Sequence, residues 1–327
     1  MFNLKSVINL LDRFFPLLTP TFLTLGLVLG ASVGQYVGLV PWLFALATFI
    51  GSLKIDFNAF LGTIKKPKGI LVVMFILRIL MPLVSLLTGR LLFPNDIYTQ
   101  TGLLLFGLLP VAINSVLWTV ITKGNVSLTL SVVLLDTILT PIVLPLSVLL
   151  LTGASIELDT FGMMRSLLLM VVLPSIIGMS LNQFTKGEFG RKWSVKSAPF
   201  AKIFLLAVIL INGGNIRRYF PPIDFRLITI MLSIMLLAVI GYCISWFLAR
   251  WMKLPDEDVK AVVFSGGMRN MSTGVVIAVA HFPPGAAIPI ISGIFFQQIV
   301  CATIAKLIEN FYEKKEVKTN DMVEQEA

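Results

Sequence analysis

The sequence predicts an all-α membrane protein with ten transmembrane helices arranged as two inverted five-helix repeats. Three observations carry this expectation. Of the 327 residues, 57% are hydrophobic and 13% charged, where a soluble domain carries about 25% charged residues. Apolar runs of about 20 residues, the length needed to cross a bilayer, follow one another with short polar turns between them. Two of these runs, at matching places in the two halves, are interrupted midway by proline, glycine and polar residues.

The elements follow in order. Residues 2–14, with Lys5, Asp12 and Arg13 on one side, suit a short interfacial helix. Span one covers about 15–33. Span two covers about 38–53, ends at Gly51-Ser52-Leu53-Lys54, and leads into a basic loop with Lys65, Lys66 and Lys68. Span three, about 69–93, contains Arg78 and Pro82. Span four, about 101–122, is interrupted at Pro110 and carries Asn114 and Ser115. Lys123-Gly124-Asn125 turns the chain into span five, about 126–151, which holds Thr129, Ser131, Asp136, Thr137 and Pro141. Span six is about 161–181, followed by a polar loop with Lys186, Arg191, Lys192 and Lys196. Span seven, about 198–214, ends in Asn212-Gly213-Gly214-Asn215. Span eight is about 225–249, span nine about 259–280, and span ten about 286–310. The first repeat is then 1–152 and the second 153–312. Residues 313–327 are charged, have no apolar period, and are expected to be a disordered tail.

Lys and Arg in a membrane protein report orientation. With the N-terminus inside, most loop lysines fall on the cytoplasmic side, so both termini are expected in the cytoplasm of a multi-pass protein of the cell membrane. The net charge of +9 is not a nucleic-acid footprint, because the basic residues are scattered through loops. Cys243 and Cys301 lie in apolar runs without CxxC spacing and read as buried small hydrophobes. The single histidine, His281, excludes a His-based metal site. Neither HExxH nor a Ser/His/Asp set occurs, so an enzyme is not expected and no cofactor is implied.

Span nine carries the chemistry. Ser265-Gly266-Gly267-Met268-Arg269-Asn270-Met271-Ser272-Thr273-Gly274 sits between the apolar runs Val259–Phe264 and Val275–Ala280. Three glycines and several residues that compete for backbone hydrogen bonds break a helix there. Non-helical backbone at membrane depth persists only where protein or a water-filled cavity satisfies it, and an intramembrane charge is a functional-site hypothesis. Asn114 and Ser115 follow Pro110 closely and are read as capping the second half of span four and lining the same site, together with Asn270, Ser272 and Thr273. Five spans per half invert the second half relative to the first. Paired interrupted spans in inverted repeats point to a transporter site at the midplane.

With Pro41-Trp42-Leu43 through Gly51-Ser52-Leu53-Lys54, Met81-Pro82, Pro110 through Asn125-Val126, Thr140-Pro141, and Gly267-Met268-Arg269-Asn270 through His281-Phe282, the chain resembles the bile acid:sodium symporter family over nearly its whole length. The resemblance implies a core of spans three to five and eight to ten, with spans four and nine broken and crossing, and a panel of spans one, two, six and seven. It implies organic-anion substrates carried with sodium ions.

The departures from the family pattern bear on the ion. Sodium-using members keep a Glu just ahead of a Gly-Met-Gln-Asn segment; that place here is Ser265, or Gly266, and the Gln is Arg269. A family Gln on span three aligns with Leu77, next to Arg78. Ser115 matches the Ser of span four, Thr129 a hydroxyl of span five, and Val133 stands where the family has Thr. Asp136 is an acid outside that pattern, read equally as a protonatable coupling group or a permanent ion-pair partner. A guanidinium has donors only and stays protonated, so it repels sodium rather than ligating it. The expected function is therefore carriage of a small organic anion across the bilayer, with Arg269, and Arg78 as a second candidate, supplying the positive charge that sodium supplies in relatives, and Asp136 as counter-charge. The alternatives are a conventional sodium-coupled symporter and an oxyanion or metalloid efflux carrier. The latter is weakened because span four has no cysteine.

Overall fold

The computed structural model describes residues 4–53, 67–152, 159–220, 222 and 224–326. The expected Lys65-Lys66 loop and the junction between the two repeats, at 153–158, lie outside them. Seven helices among the described residues are long and apolar enough to cross a membrane, and three shorter apolar helices accompany them. No strand occurs among these residues; the one isolated bridge pairs Val111 with Arg269 in antiparallel sense.

In chain order the helices are α1 (Leu4–Leu29), α2 (Ala31–Ser52), α3 (Lys68–Leu92), α4 (Ile97–Leu108), α5 (Ser115–Ile121), α6 (Val126–Thr152), α7 (Thr160–Phe184), α8 (Glu188–Ile216), α9 (Phe225–Trp251), α10 (Asp256–Gly267), α11 (Met271–His281) and α12 (Pro284–Glu326). Side-chain caps mark several starts. Asp96, Asp159, Asp224 and Asn270 each accept a backbone N–H from three residues on, which satisfies donors that a first helical turn leaves open. Within α3 one wide turn spans Ile76–Leu80. Pro82 explains it, since its ring cannot coexist with a regular bond to the carbonyl four residues back, and the wider turn gives way there.

Four expectations need correction. The expected interfacial helix over 2–14 is not separate in its described part: α1 runs unbroken from Leu4 to Leu29 and stops where Gly30 takes φ +54°. The basic stretch after span six is not all loop. Helix α8 begins at Glu188 and includes Arg191, Lys192 and Lys196, residues with good helix propensity. The same helix continues past Asn212-Gly213-Gly214 to Ile216, where a span end was expected. The tail is also helical, as α12 extends to Glu326; adding turns to an existing helix is far easier than starting one.

The helices pack as two groups. α1, α2, α7 and α8 lie against one another, and α3–α6 pack with α9–α12. Small residues bring the first group close. A Cβ on Gly26 would sit 2.2 Å from the Leu210 carbonyl oxygen, and one on Gly214 2.6 Å from that of Gly30. This is the close approach that apolar helices use where lipid gives no hydrophobic drive to associate. The second group holds the interruptions. The helix of span four stops at Leu108 and resumes at Ser115, and that of span nine stops at Gly267 and resumes at Met271. Contacts between the groups run mainly through α8 with α11 and through α6 with α7.

Candidate functional site

The two interruptions cross and satisfy each other. Asn270 N donates to the Pro110 carbonyl at 2.8 Å, and Ala112 N to the Met268 carbonyl at 3.3 Å. Pro110 has no N–H to offer and Leu109 is extended, with ψ 143°, so α4 ends there without choice. In the other interruption Met268 is extended, with ψ 126°, and its N–H still closes the last turn of α10 on Phe264. Two backbone N–H groups left over at the crossing go to side chains. Val111 N donates to Asp136 Oδ2 at 2.8 Å, and Arg269 N to Gln297 Oε1 at 3.2 Å.

Asp136 is fully buried on α6 and uses its other oxygen for Arg78, which comes from the wide turn of α3. The Arg78 guanidinium also donates to Thr140 Oγ1 at 2.8 Å, to the Asp136 carbonyl at 3.2 Å and to the Leu108 carbonyl at 3.3 Å. The last of these caps the broken end of α4. Asp136 is thus an ion-pair partner and a clamp on the crossing.

Arg269 differs. It is fully buried, and none of its three guanidinium nitrogens has a hydrogen-bond partner among the described residues. The ionisable side chains close enough to act on it are Asp136, Arg78 and Tyr242. The expected Asp136 counter-charge is therefore spent by direct contact on Arg78 rather than on Arg269. Among the described residues at the crossing, two guanidiniums and one carboxylate leave one positive charge. An uncompensated Arg at the centre of a membrane costs on the order of 3 kcal/mol even on lenient insertion scales.

The other expected residues are placed as follows. Asn270 caps α11, its Oδ1 accepting from Thr273 N at 3.1 Å, and Thr273 is 2% exposed. Ser272 is partly exposed beside it. Asn114 does not cap α5: its side chain makes no capping bond, because its backbone is already helical. Ser115 and Ser265 are fully buried, and their hydroxyls have no partner among the described residues. Thr129 Oγ1 lies 3.0 Å from Thr119 Oγ1. Gly266 acts in packing, as a Cβ there would sit 2.2 Å from Ser245 Oγ. Cys301 is buried with its sulfur 3.4 Å from Met268 Sδ, whereas Cys243, expected to be buried, is exposed on the outer face of α9. An apolar side chain on a membrane helix has no need of the protein interior.

Gln297, Thr140 and Asn212 belong to the polar interior although sequence reasoning gave them little or no weight. Thr140 had a visible signal, one helical turn after Asp136 and just before Pro141. Asn212 had one too, a polar residue in an apolar run, but it was absorbed into a supposed span end.

The comparisons with known proteins agree with this architecture. The chain is 41% identical to the uncharacterized protein YbaS of Bacillus subtilis (strain 168), over 90% of this chain and 97% of that protein. It is 27% identical to the uncharacterized sodium-dependent transporter YocS of the same organism, over 80% of this chain and 81% of that protein. It is 27% identical to the probable sodium/metabolite cotransporter BASS1, chloroplastic, of Arabidopsis thaliana, over 70% of this chain and 56% of that protein. The SBF-like CPA transporter family matches residues 14–312. A crossing of two interrupted helices inside an apolar bundle, and a family match over nearly its whole length, lead to one conclusion: this multi-pass membrane chain belongs to the SBF-like CPA transporter family, the bile acid:sodium symporter family, and is a transporter rather than an enzyme.

Proposed function

We propose that this protein carries a small organic anion across the cell membrane by alternating access, and that Arg269 binds the acid group of that anion in place of a sodium-dependent site. The observation that carries the reading is the buried Arg269 guanidinium, which has no described partner and sits at the helix crossing. Five donors in a planar fork match a carboxylate in two-point geometry. In this reading α3–α6 and α9–α12 form the core, α1, α2, α7 and α8 the panel, and the two inverted repeats of five spans place both termini in the cytoplasm.

The residues fit sodium poorly. The buried carboxylate at the crossing is already shared between Arg78 and Val111 N. Ser265 stands where sodium-using relatives keep Glu, and a serine hydroxyl brings no negative charge to offset a cation. A conventional sodium-coupled symporter is the second reading. It is favoured by the names of YocS and BASS1, both of which refer to sodium.

The test is a thermal-shift screen of mono- and dicarboxylates on the purified protein and on Arg269→Gln. Carboxylates that stabilise the wild type should leave the variant unmoved, a loss of more than about tenfold in affinity for a charge-assisted contact. Equal stabilisation of both proteins contradicts the role of Arg269.

A further inference from the structure

Away from the helix crossing, α9, α10 and α12 line an apolar cavity of about 390 Å³, within the size range of small-ligand sites, about 300–1,000 Å³. Tyr242, Cys243 and Trp246 come from α9, Val263 from α10, and Leu307 and Phe311 from α12. None of the charged residues of the crossing lies in this wall. Cys243, Leu307 and Phe311 are exposed, so the cavity opens on the outer face of the bundle, which in a multi-pass chain faces lipid. Trp246 and Phe311 stand edge to face, with ring centres 5.0 Å apart.

A cation stands at one end of this cavity. Lys260 lies three residues before Val263, so the two share a face of α10. Its ammonium is 4.4 Å from the centre of the Tyr312 ring, and Tyr312 packs edge-on against Phe311, ring centres 5.3 Å apart. A cation over a ring is held in place but keeps its charge. No carboxylate pairs with Lys260 among the described residues. The acids before it on α10 are engaged or apart: Asp256 pairs with Arg250 at 3.1 Å, Asp258 accepts from Asn125 Nδ2 at 2.7 Å, and Glu257 makes no ion pair with it. Helix α9 ends at Trp251 and α10 begins at Asp256, so the turn between them marks a membrane edge. Lys260 is four residues inside that edge, about 6 Å along the helix, a depth from which a lysine reaches the headgroups.

We propose that this cavity binds an anionic phospholipid of the surrounding bilayer, with one acyl chain seated in it and the phosphate paired with Lys260. The volume suits one hydrocarbon chain rather than a whole lipid, and the open side lets the second chain stay in the bilayer. The opening onto lipid favours a bilayer component over a soluble ligand. An apolar cavity beside an unpaired ammonium selects a hydrocarbon chain with a negative head. A zwitterionic lipid fits the cavity equally but brings a cation of its own to Lys260. This site is separate from Arg269 and does not depend on the anion-carrier reading.

The experiment uses the full chain in phosphatidylcholine vesicles with rising fractions of dibrominated phosphatidylglycerol or, in parallel, dibrominated phosphatidylcholine. Bromine quenches tryptophan fluorescence on contact, and the difference between wild type and Trp246→Phe isolates the signal from the cavity wall. Phosphatidylglycerol should quench that signal at about fivefold lower mole fraction, the worth of one lysine beside an anionic lipid. Lys260→Gln should bring the ratio close to one, and Lys260→Arg should keep it. Cys243→Phe, at an exposed position, puts a ring into the cavity and should also bring the ratio close to one. Equal quenching by the two lipids in wild type overturns the proposal. So does a ratio that survives Lys260→Gln, which removes the headgroup contact, or one that survives Cys243→Phe, which shows attraction without a seated chain. Dibrominated stearate that quenches as strongly as the phosphatidylglycerol would make the occupant a free fatty acid and overturn its assignment as a phospholipid.

Discussion

Asp136 meets two demands with one carboxylate: a guanidinium on one oxygen and an unpaired backbone N–H on the other. Replacing it by Asn keeps its size but leaves Arg78 buried and uncompensated. Removing one member of a buried pair typically costs about 3–5 kcal/mol, so Asp136→Asn should lower Tm sharply. Arg78→Met combined with Asp136→Asn should recover part of that loss, since a matched apolar replacement removes the stranded charge. A single variant as stable as wild type would mean the pair is not holding the crossing. Asp96, in the turn before α4, tests a different balance. Burial alone would raise its pKa, but the Thr99 hydroxyl, the Arg226 guanidinium and the Thr99 amide outweigh this and hold it below 3.8. A lowered folded-state pKa stabilises the charged form, so the contribution is present above 3.8 and is lost as pH falls through the folded value. Asn is an equally good cap, so Asp96→Asn isolates the ion pair. Its stability deficit should be less than about 1 kcal/mol, because Arg226 is half exposed, constant from pH 8 to about 5, and should vanish in acid. A deficit that persists at pH 2 would assign it to the cap instead.

Among the elements, α10 shows how the break is placed. Gly267 ends the helix where a Cβ would lie 2.2 Å from the Tyr242 ring. Gly267→Ala must displace that ring, an overpacking cost of about 1–3 kcal/mol, read as a fall in Tm. An unchanged Tm would show that the ring moves freely. The breaks themselves were legible in the sequence, since Pro110 and the Gly266-Gly267 pair each stand beside further polar residues in the middle of an apolar run. Most long spans were legible for the same reason, apolar runs being hard to misread. What was not legible depended on context. Whether α1 stops at residue 14, or α8 starts at 188 rather than near 198, is not written in residues that tolerate both helix and loop. The pairing of Arg78 with Asp136, rather than Arg269 with Asp136, needed the wide turn at Ile76–Leu80 that carries Arg78 toward α6. Asn212 was misread because Gly-Gly after it suggests an end; in the fold those glycines serve contact with α1 and α2.

Across the whole molecule, two helix groups meet chiefly along α8–α11 and α6–α7, and the buried charges belong to the group with the crossing. The central claim is that a protein-borne cation stands where relatives use a dissolved one. Thermal stability of the purified protein, measured across a sodium titration with choline held in balance at constant ionic strength, tests it without knowing the substrate. A bound ion raises stability by RT ln(1 + [L]/Kd), about 2.7 kcal/mol at a hundredfold excess over Kd. The account predicts the same Tm in sodium and in choline. A saturable, sodium-specific rise in Tm would contradict it.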